Sequence, residues 1–223
     1  MEKRRTFLKS LALTGIFGGL TGLARAKSRE EELLEKIAAT RPASGSSVMG
    51  LTVPPIAQVK VAVVGLGNRG TFLTQLVDAL CPEKATLTAI CDVRKEQVEK
   101  TLKNLKDSGH GQKPAVYHTD PDGWKEMMRR DDIDLVIIAT PWNLHVPMCV
   151  YGMQNGKHVA TEVPAAYTLE GCWDLVNTAE ETQRNCMMLE NVCYGDEELW
   201  LLNMVADGVF EYLPMQKLPI STI

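Results

Sequence analysis

A glycine-rich hexapeptide, GLGNRG from Gly65 to Gly70, has a spacing that can support chemistry. It follows an apolar run and opens a helical pattern, the setting in which G-x-G-x-x-G binds the pyrophosphate of a dinucleotide. Gly65 permits the tight turn, Gly67 lets the backbone approach the phosphates, and Gly70 lets helix and strand pack closely. The N–H groups of the following helix then serve as donors to the anion. A glycine turn that binds no ligand has the same spacing.

Asp92 supports the dinucleotide interpretation. It ends the next strand-like run, about 20 residues after the last glycine, where a carboxylate accepts hydrogen bonds from the adenosine ribose hydroxyls. The same charge repels a 2′-phosphate, so the sequence predicts NAD rather than NADP. Arg94 lies close enough in sequence to leave NADP open.

Two further segments follow predicted strands, at the edge where open α/β sheets bind ligands. In TPWNLHVP, Trp142 would cover a nicotinamide or ribose, or pack at a domain edge, and His145 would bond to a cofactor or cap a helix. In TEVPAA, Glu162 is either a base or hydrogen-bond acceptor near the nicotinamide, or a solvated strand end.

The segment ENVCYG ends a later predicted strand and brings Asn191 and Tyr194 to the same rim. Tyr194 is a candidate proton-transfer group, with packing between domains as the alternative. We therefore take Glu162 and Tyr194 as the candidate catalytic residues.

The elements that must position these residues alternate between apolar strand runs and helical patterns. Such alternation predicts βαβ units and a Rossmann-type, doubly wound parallel sheet of the α/β class. Gly156 is predicted to end one helix as its C′ residue, and Thr168 to cap the next. Strands are predicted at 59–65, 86–92, 115–119, 134–140, 158–163 and 186–192, with helices at 71–80, 95–106, 122–130, 145–155, 168–182 and 197–207.

Composition narrows the function classes. The chain has 223 residues and a formal net charge of −4, so no basic surface argues for a nucleic-acid partner. Its six cysteines show neither CxxC nor Cys/His metal spacing, and we expect buried thiols rather than disulfides or metal ligands.

The N-terminal residues 1–26 resemble a twin-arginine signal peptide. Arg4 and Arg5 precede a short apolar stretch, and Ala24–Ala26 fits an A-x-A cleavage site. The stretch falls short of the roughly 20 residues of a spanning helix, which argues against the alternative of a membrane anchor. The sequence predicts export to the periplasm, with 27–58 as a leader or linker and no membrane span after signal removal.

Together these motifs resemble the Gfo/Idh/MocA family, whose members carry an N-terminal Rossmann domain and a C-terminal α+β substrate domain. Typical dehydrogenases of that family have Glu-Lys-Pro where this chain has Glu162, Val163 and Pro164. The missing lysine makes simple alcohol oxidation a weaker expectation. A sugar dehydrogenase and a non-catalytic dinucleotide-binding module remain the alternatives.

The closer resemblance is to glycoside hydrolase family 109, through VGLGNRG, CDVR, TPWNLHVPM, GKHVATEVPAA, EGCW, CMMLENVCYG and LNMVADGVF. It implies an α-N-acetylgalactosaminidase in which NAD oxidises the sugar C3 hydroxyl, the aglycone leaves by elimination, water adds, and the hydride returns. No pair of catalytic carboxylates is then needed, unlike in most glycosidases. By this resemblance the NAD contacts fall on Asn68, Arg69, Asp92, Trp142, Asn143, Leu144, His145, Glu162, Val163 and Asn191.

The resemblance sets the expected domains: an NAD-binding domain over 59–195 and the start of a substrate domain over 196–210. The tail 211–223 departs from the family, but one permitted set of codons, read two bases later, encodes Tyr-Ile-His-Asp, a family motif. We therefore expect an out-of-frame tail and a largely missing substrate domain. Such a fragment would lack hydrolase activity and would expose apolar surface that favours homo-oligomers. A GalNAc-type glycoside would be the substrate of an intact form.

Overall fold

The computed structural model describes residues 46–48 and 50–207. The predicted signal peptide, the leader up to residue 45 and the predicted out-of-frame tail lie outside these residues. No helix within the described residues has the length and apolar character needed to cross a membrane.

The described residues form one six-stranded sheet in which all neighbours are parallel. The order β3-β2-β1-β4-β5-β6 is that of a dinucleotide-binding fold, and it reverses direction between β1 and β4. Ligands of such sheets bind at the carboxyl ends of the strands beside this switch point. The strands are β1 Val59–Val64, β2 Ala85–Asp92, β3 Ala115–His118, β4 Leu135–Ile138, β5 His158–Thr161 and β6 Cys186–Met188.

Six α-helices accompany the strands in the described part of the chain, and most predicted elements are confirmed. Thr168 caps a helix as predicted, because its hydroxyl oxygen accepts a bond from the Gly171 amide at 3.0 Å. Gly156 has the positive φ of +77° expected of a C′ residue. The helices are α1 Asn68–Ala79, α2 Lys95–Ser108, α3 Gly123–Met128, α4 His145–Gln154, α5 Leu169–Thr182 and α6 Asp196–Ala206.

Strand β1 shows why its apolar run is nearly continuous. Its residues alternate between the two faces of the sheet, and helices cover both faces. Ala62 and Val64 belong to one buried cluster, whereas Val61 and Val63 belong to the other. The phosphate-binding turn is thus attached to a strand that is buried on both sides.

Two predictions need correction. Strand β6 has three residues instead of seven, because within residues 46–48 and 50–207 it pairs with β5 alone, and the chain then enters a 3₁₀ turn over Val192–Tyr194. Cys172 and Cys193 are exposed, although we expected buried thiols; Cys81, Cys91 and Cys149 are buried and Cys186 is half-buried. All six cysteines lie among the described residues, and none forms a disulfide.

Apolar side chains are exposed at the β6 edge and on α6. Met187 is 41% exposed and Met188 is 44% exposed, and Trp200 on α6 is 72% exposed. Helix α6 has no buried residue. Apolar side chains are thus exposed at this edge among the described residues, whereas their exposure through a missing substrate domain stays a prediction.

Candidate functional site

The turn between β1 and α1 requires two of its three glycines for packing. Gly65 has a φ of +84°, and a Cβ there would lie 2.6 Å from the carbonyl oxygen of Ala139. A Cβ on Gly70 would lie 1.7 Å from the carbonyl oxygen of Gly65, a distance that no atom pair tolerates. Both residues fulfil the structural roles predicted from the motif.

Gly67 differs, because the protein itself leaves room beside it. Of the atoms that the structure describes, a Cβ there would meet only a guanidinium nitrogen of Arg94, at an ordinary 3.7 Å. Gly67 is also the N-cap of α1, where no side chain caps the helix and no acidic residue lies in the first turn. Exposed Asn68 follows it. Open space beside an uncapped helix N-terminus suits the pyrophosphate of a dinucleotide.

Asp92 ends β2 and holds this turn in place. Its side chain is 6% exposed; one carboxylate oxygen accepts the Leu66 amide at 2.7 Å and the other the Arg94 amide at 2.8 Å. The Arg94 Nε lies 3.4 Å from the same carboxylate. The oxygen that accepts the Leu66 amide keeps a lone pair for a ribose hydroxyl, whereas the other oxygen accepts both the Arg94 amide and the Arg94 Nε. Burial raises the pKa of the neighbouring Cys91 thiol to about 12, and the Asp92 charge adds to the effect.

Arg69 and Glu162 connect the glycine turn to the end of β5. The Arg69 Nε donates to a Glu162 carboxylate oxygen at 2.8 Å, and the guanidinium lies over the Phe72 ring at 5.4 Å. The Glu162 side chain is 16% exposed and that of Arg69 39%. Since one carboxylate oxygen is engaged, the geometry favours Glu162 as a fixed hydrogen-bond acceptor over Glu162 as a general base. Its catalytic role stays a prediction.

Beyond β4, a 3₁₀ turn over Trp142–Leu144 presents an aromatic ring to solvent. Trp142 is 63% exposed, and so is Tyr167, which follows β5. Together with Pro141 and Asn143 they line an open depression of about 460 Å³. Sequence reasoning missed Tyr167, because one tyrosine before a helix carries no motif. Leu144 packs against the core cluster, so its side chain supports the turn from below.

His145 has a different environment from the one expected of a cofactor ligand. Its side chain is fully buried, with Nδ1 2.8 Å from the carbonyl oxygen of Pro164 and Nε2 2.8 Å from that of Thr140. The imidazole thus joins the loops that follow β4 and β5. A bond from this ring to NAD would require one of these contacts to break, which corrects the prediction for the His145 side chain.

The remaining predicted residues lie at the same rim. Val163 is 39% exposed directly after Glu162, and Asn191 is exposed after β6. The Tyr194 side chain lies outside the described part of the structure, so its catalytic role stays a prediction. No group of three His, Cys, Asp or Glu side chains among the described residues is arranged to hold a metal ion.

These features lie along the carboxyl edge of the sheet in an order that matches a dinucleotide. Asp92 lies at the end of β2, the uncapped α1 N-terminus follows β1, and the Trp142 turn and Glu162 follow β4 and β5. Residues 59–190 match the sequence model of the Gfo/Idh/MocA oxidoreductase family, described as an NAD-binding Rossmann fold. The chain belongs to the Gfo/Idh/MocA family. Its matched segment is an NAD-binding Rossmann domain.

Several curated relatives of this family member are named as glycosidases. An α-N-acetylgalactosaminidase of Bacteroides fragilis is 51% identical over 167 residues, which are 75% of this chain and 38% of that protein. A glycosyl hydrolase family 109 protein of Shewanella amazonensis is 44% identical over 207 residues, which are 93% of this chain and 43% of that protein. The chain thus spans about two fifths of the relatives that it matches.

Solved structures of Gfo/Idh/MocA-type dehydrogenases share the fold. Scyllo-inositol dehydrogenase of Lactobacillus casei, with bound NAD(H) and scyllo-inositol, superposes with a TM-score of 0.58 at 20% identity, over 68% of this chain and 42% of that one. The WlbA dehydrogenase of Chromobacterium violaceum, in complex with NADH, superposes with a TM-score of 0.60 at 21% identity, over 71% of this chain and 43% of that one. At this identity the likeness concerns the fold alone.

Proposed function

We propose that this chain is the cofactor domain of an NAD-dependent glycoside hydrolase that acts on α-N-acetylgalactosaminides without net consumption of NAD. The observation that carries the proposal is the room beside Gly67 at an uncapped helix N-terminus, next to buried Asp92. The curated relatives named as glycosidases support the reaction class.

The chain's own residues would bind NAD along the rim. Asp92 would accept the adenosine ribose hydroxyls, and the amides of Asn68 and Arg69 would donate to the pyrophosphate. When bound, NAD would withdraw a hydride from the sugar C3 and later return it, so that the C2 proton becomes acidic while C3 is a ketone. This chemistry explains how a glycosidase can act without the usual pair of carboxylates.

The residues after β4 and β5 would shape the nicotinamide end. Glu162, held by Arg69 at 2.8 Å, would present its second oxygen as a fixed acceptor. The depression between Trp142 and Tyr167 offers apolar ring faces, a surface that suits the C–H faces of a sugar or an aryl aglycone.

The experiment assays the protein that carries this chain with NAD and 4-nitrophenyl α-N-acetylgalactosaminide, following 4-nitrophenol and NADH together. The proposal expects nitrophenol release that depends on NAD, with no build-up of NADH. Sugar-dependent NADH without nitrophenol would instead identify a sugar dehydrogenase. NAD binding with neither product, across a panel of sugars, would identify a non-catalytic module.

We also propose export by the twin-arginine route, on the pattern of Arg4, Arg5 and the A-x-A site. Residues 1–26 fused to a folded fluorescent reporter should send it to the periplasm. The double variant Arg4→Lys with Arg5→Lys keeps the charge and should retain the reporter in the cytoplasm. Equal export of both fusions would contradict this route.

A further inference from the structure

Two thiols meet beneath the β5–β6 edge of the sheet, away from the nucleotide rim. Cys149 on α4 is fully buried, and half-buried Cys186 is the first residue of β6. The two thiols lie close enough to interact, and each is the strongest influence on the pKa of the other. Cys186 also packs against the core cluster that contains Cys149.

The elements around them fix this juxtaposition. Cys186 pairs with Val159 in the register of β5 and β6, so both side chains lie on the same face of the sheet. Helix α4 covers that face: a Cβ on Gly152 would lie 2.9 Å from Val159. Cys149 precedes Gly152 by three residues and therefore shares its side of the helix. The packing of α4 on β5 and β6 therefore brings the two cysteines to the same face of the sheet.

The two thiols differ in reactivity. The hydrogen bond from the Cys149 thiol lowers the pKa of Cys186, and this effect outweighs burial, which raises it. The same bond, with burial as the second cause, raises the pKa of Cys149 far above its usual range. Cys186 is thus the accessible nucleophile and Cys149 the protonated partner behind it, the arrangement of an attacking and a resolving cysteine.

We propose that Cys149 and Cys186 form a redox pair that closes to an intramolecular disulfide on reaction with a low-molecular-weight disulfide. The Cys186 thiolate attacks one sulfur of the oxidant, forming a mixed disulfide and releasing one thiolate. Cys149 then loses its proton to solvent and attacks Cys186 sulfur, and the second thiolate leaves. Overall, two protein thiols are oxidised and one disulfide oxidant is reduced to two thiols.

Closure would join α4 to the edge strand of the sheet. Helix α4 begins directly after the Trp142–Leu144 turn, and β6 leads to Asn191, so the bond would restrain two segments of the nucleotide rim. In the part of the chain that the structure describes, β6 pairs on one side only, and a cross-link there restricts its fraying. The folded form should melt at a higher temperature when oxidised, and dithiothreitol should reverse the shift.

The test uses the full chain with Cys172→Ser and Cys193→Ser, which removes the two exposed thiols. It is incubated with oxidised glutathione, alkylated and digested with trypsin. Cleavage after Arg130, Lys157 and Arg184 separates the pair, leaving Cys149 in peptide 131–157 and Cys186 in peptide 185–217. We expect these peptides to be cross-linked, with a loss of two free thiols per chain.

Adding Cys149→Ala to this background should stop the reaction at a glutathione adduct on Cys186, whereas adding Cys186→Ser should leave Cys149 unmodified. The NAD affinity and the melting temperature of each reduced variant show that it is folded. A stable glutathione adduct in the parent, without a cross-link, would overturn the proposal. So would failure of both thiols to react in the folded chain while they cross-link only in urea.

Discussion

Two glycines of the nucleotide turn, Gly67 and Gly70, should respond in opposite ways to the same substitution. Alanine adds one methyl group at each position, and the two residues are three positions apart in the sequence. Only the surroundings differ: the protein itself fills the space beside Gly70, whereas the space beside Gly67 is open. The comparison therefore separates folding from ligand binding.

For Gly70→Ala the new Cβ would lie 1.7 Å from the carbonyl oxygen of Gly65, so backbone must move. Ordinary overpacking costs about 1–3 kcal/mol, and a clash with a fixed carbonyl belongs to the rare class of about 4 kcal/mol or more. Whole domains are stable by only about 5–15 kcal/mol. Gly70→Ala should therefore lose a large part of its free energy of unfolding, about 4 kcal/mol or more, as measured by urea denaturation.

For Gly67→Ala the Cβ would meet a single Arg94 nitrogen at 3.7 Å, and φ is −64°, which alanine adopts without strain. Its stability should fall by only about 1 kcal/mol, since losing an N-cap residue typically costs about 1 kcal/mol with alanine and a few tenths with glycine. The methyl group would keep the pyrophosphate from the amides. Losing one charged hydrogen bond, worth about 1.5–3 kcal/mol, weakens NAD binding at least about tenfold.

The assay combines urea unfolding by circular dichroism with calorimetric titration of NAD for both variants and the parent chain. The expected pattern is a stable Gly67→Ala that binds NAD poorly, and a Gly70→Ala that unfolds early. Parental NAD affinity in Gly67→Ala would refute the assignment of this turn to the pyrophosphate. Parental stability in Gly70→Ala would refute the packing geometry itself.

Three further changes test single contacts. Asp92→Asn should weaken NAD binding about tenfold or more and reduce the preference for NAD over NADP, because the charge facing the ribose is lost. Parallel titrations of the two dinucleotides measure both effects, and unchanged affinity for both would contradict the assignment of Asp92. Burial and, secondarily, Arg184 lower the pKa of His158 below 6.5, so protonation favours the unfolded chain and the free energy of unfolding should fall as the pH drops below 6.5. His158→Asn should flatten this pH dependence in urea titrations. An equally steep pH dependence in the variant would exclude His158 as its cause. Thr168→Ala removes the bond to the Gly171 amide and should cost about 0.5–2 kcal/mol by thermal denaturation, with Thr168→Ser as the control that retains it.

Much of the fold was predictable from local patterns. The run Val59–Val64 is apolar throughout because both faces of β1 are buried, and the glycine after it marks the turn to α1. Helix α1 begins at Asn68, three residues before the predicted start, because the turn residues themselves adopt helical geometry. Strand β6 is shorter than its apolar run, since pairing depends on neighbours that the local sequence does not encode.

The site was predictable where a motif fixes geometry and not where tertiary contacts do. The glycines and Asp92 lie where the sequence predicts because β1 and β2 run parallel, so that their carboxyl ends meet at the same edge of the sheet. The engagement of both His145 nitrogens by carbonyl oxygens, and the Arg69–Glu162 pair, depend on distant loops. The position of Tyr167 beside Trp142 likewise results from the adjacency of β4 and β5.

The proposed function requires the protein that carries this chain to cleave glycosides through transient oxidation of the sugar. The most direct measurement is proton NMR of an α-N-acetylgalactosaminide cleaved in D₂O in the presence of NAD. The account predicts deuterium at C2 of the released sugar, because that proton leaves while C3 is a ketone. Cleavage that leaves the C2 proton in place would contradict it, since direct displacement at C1 never touches C2.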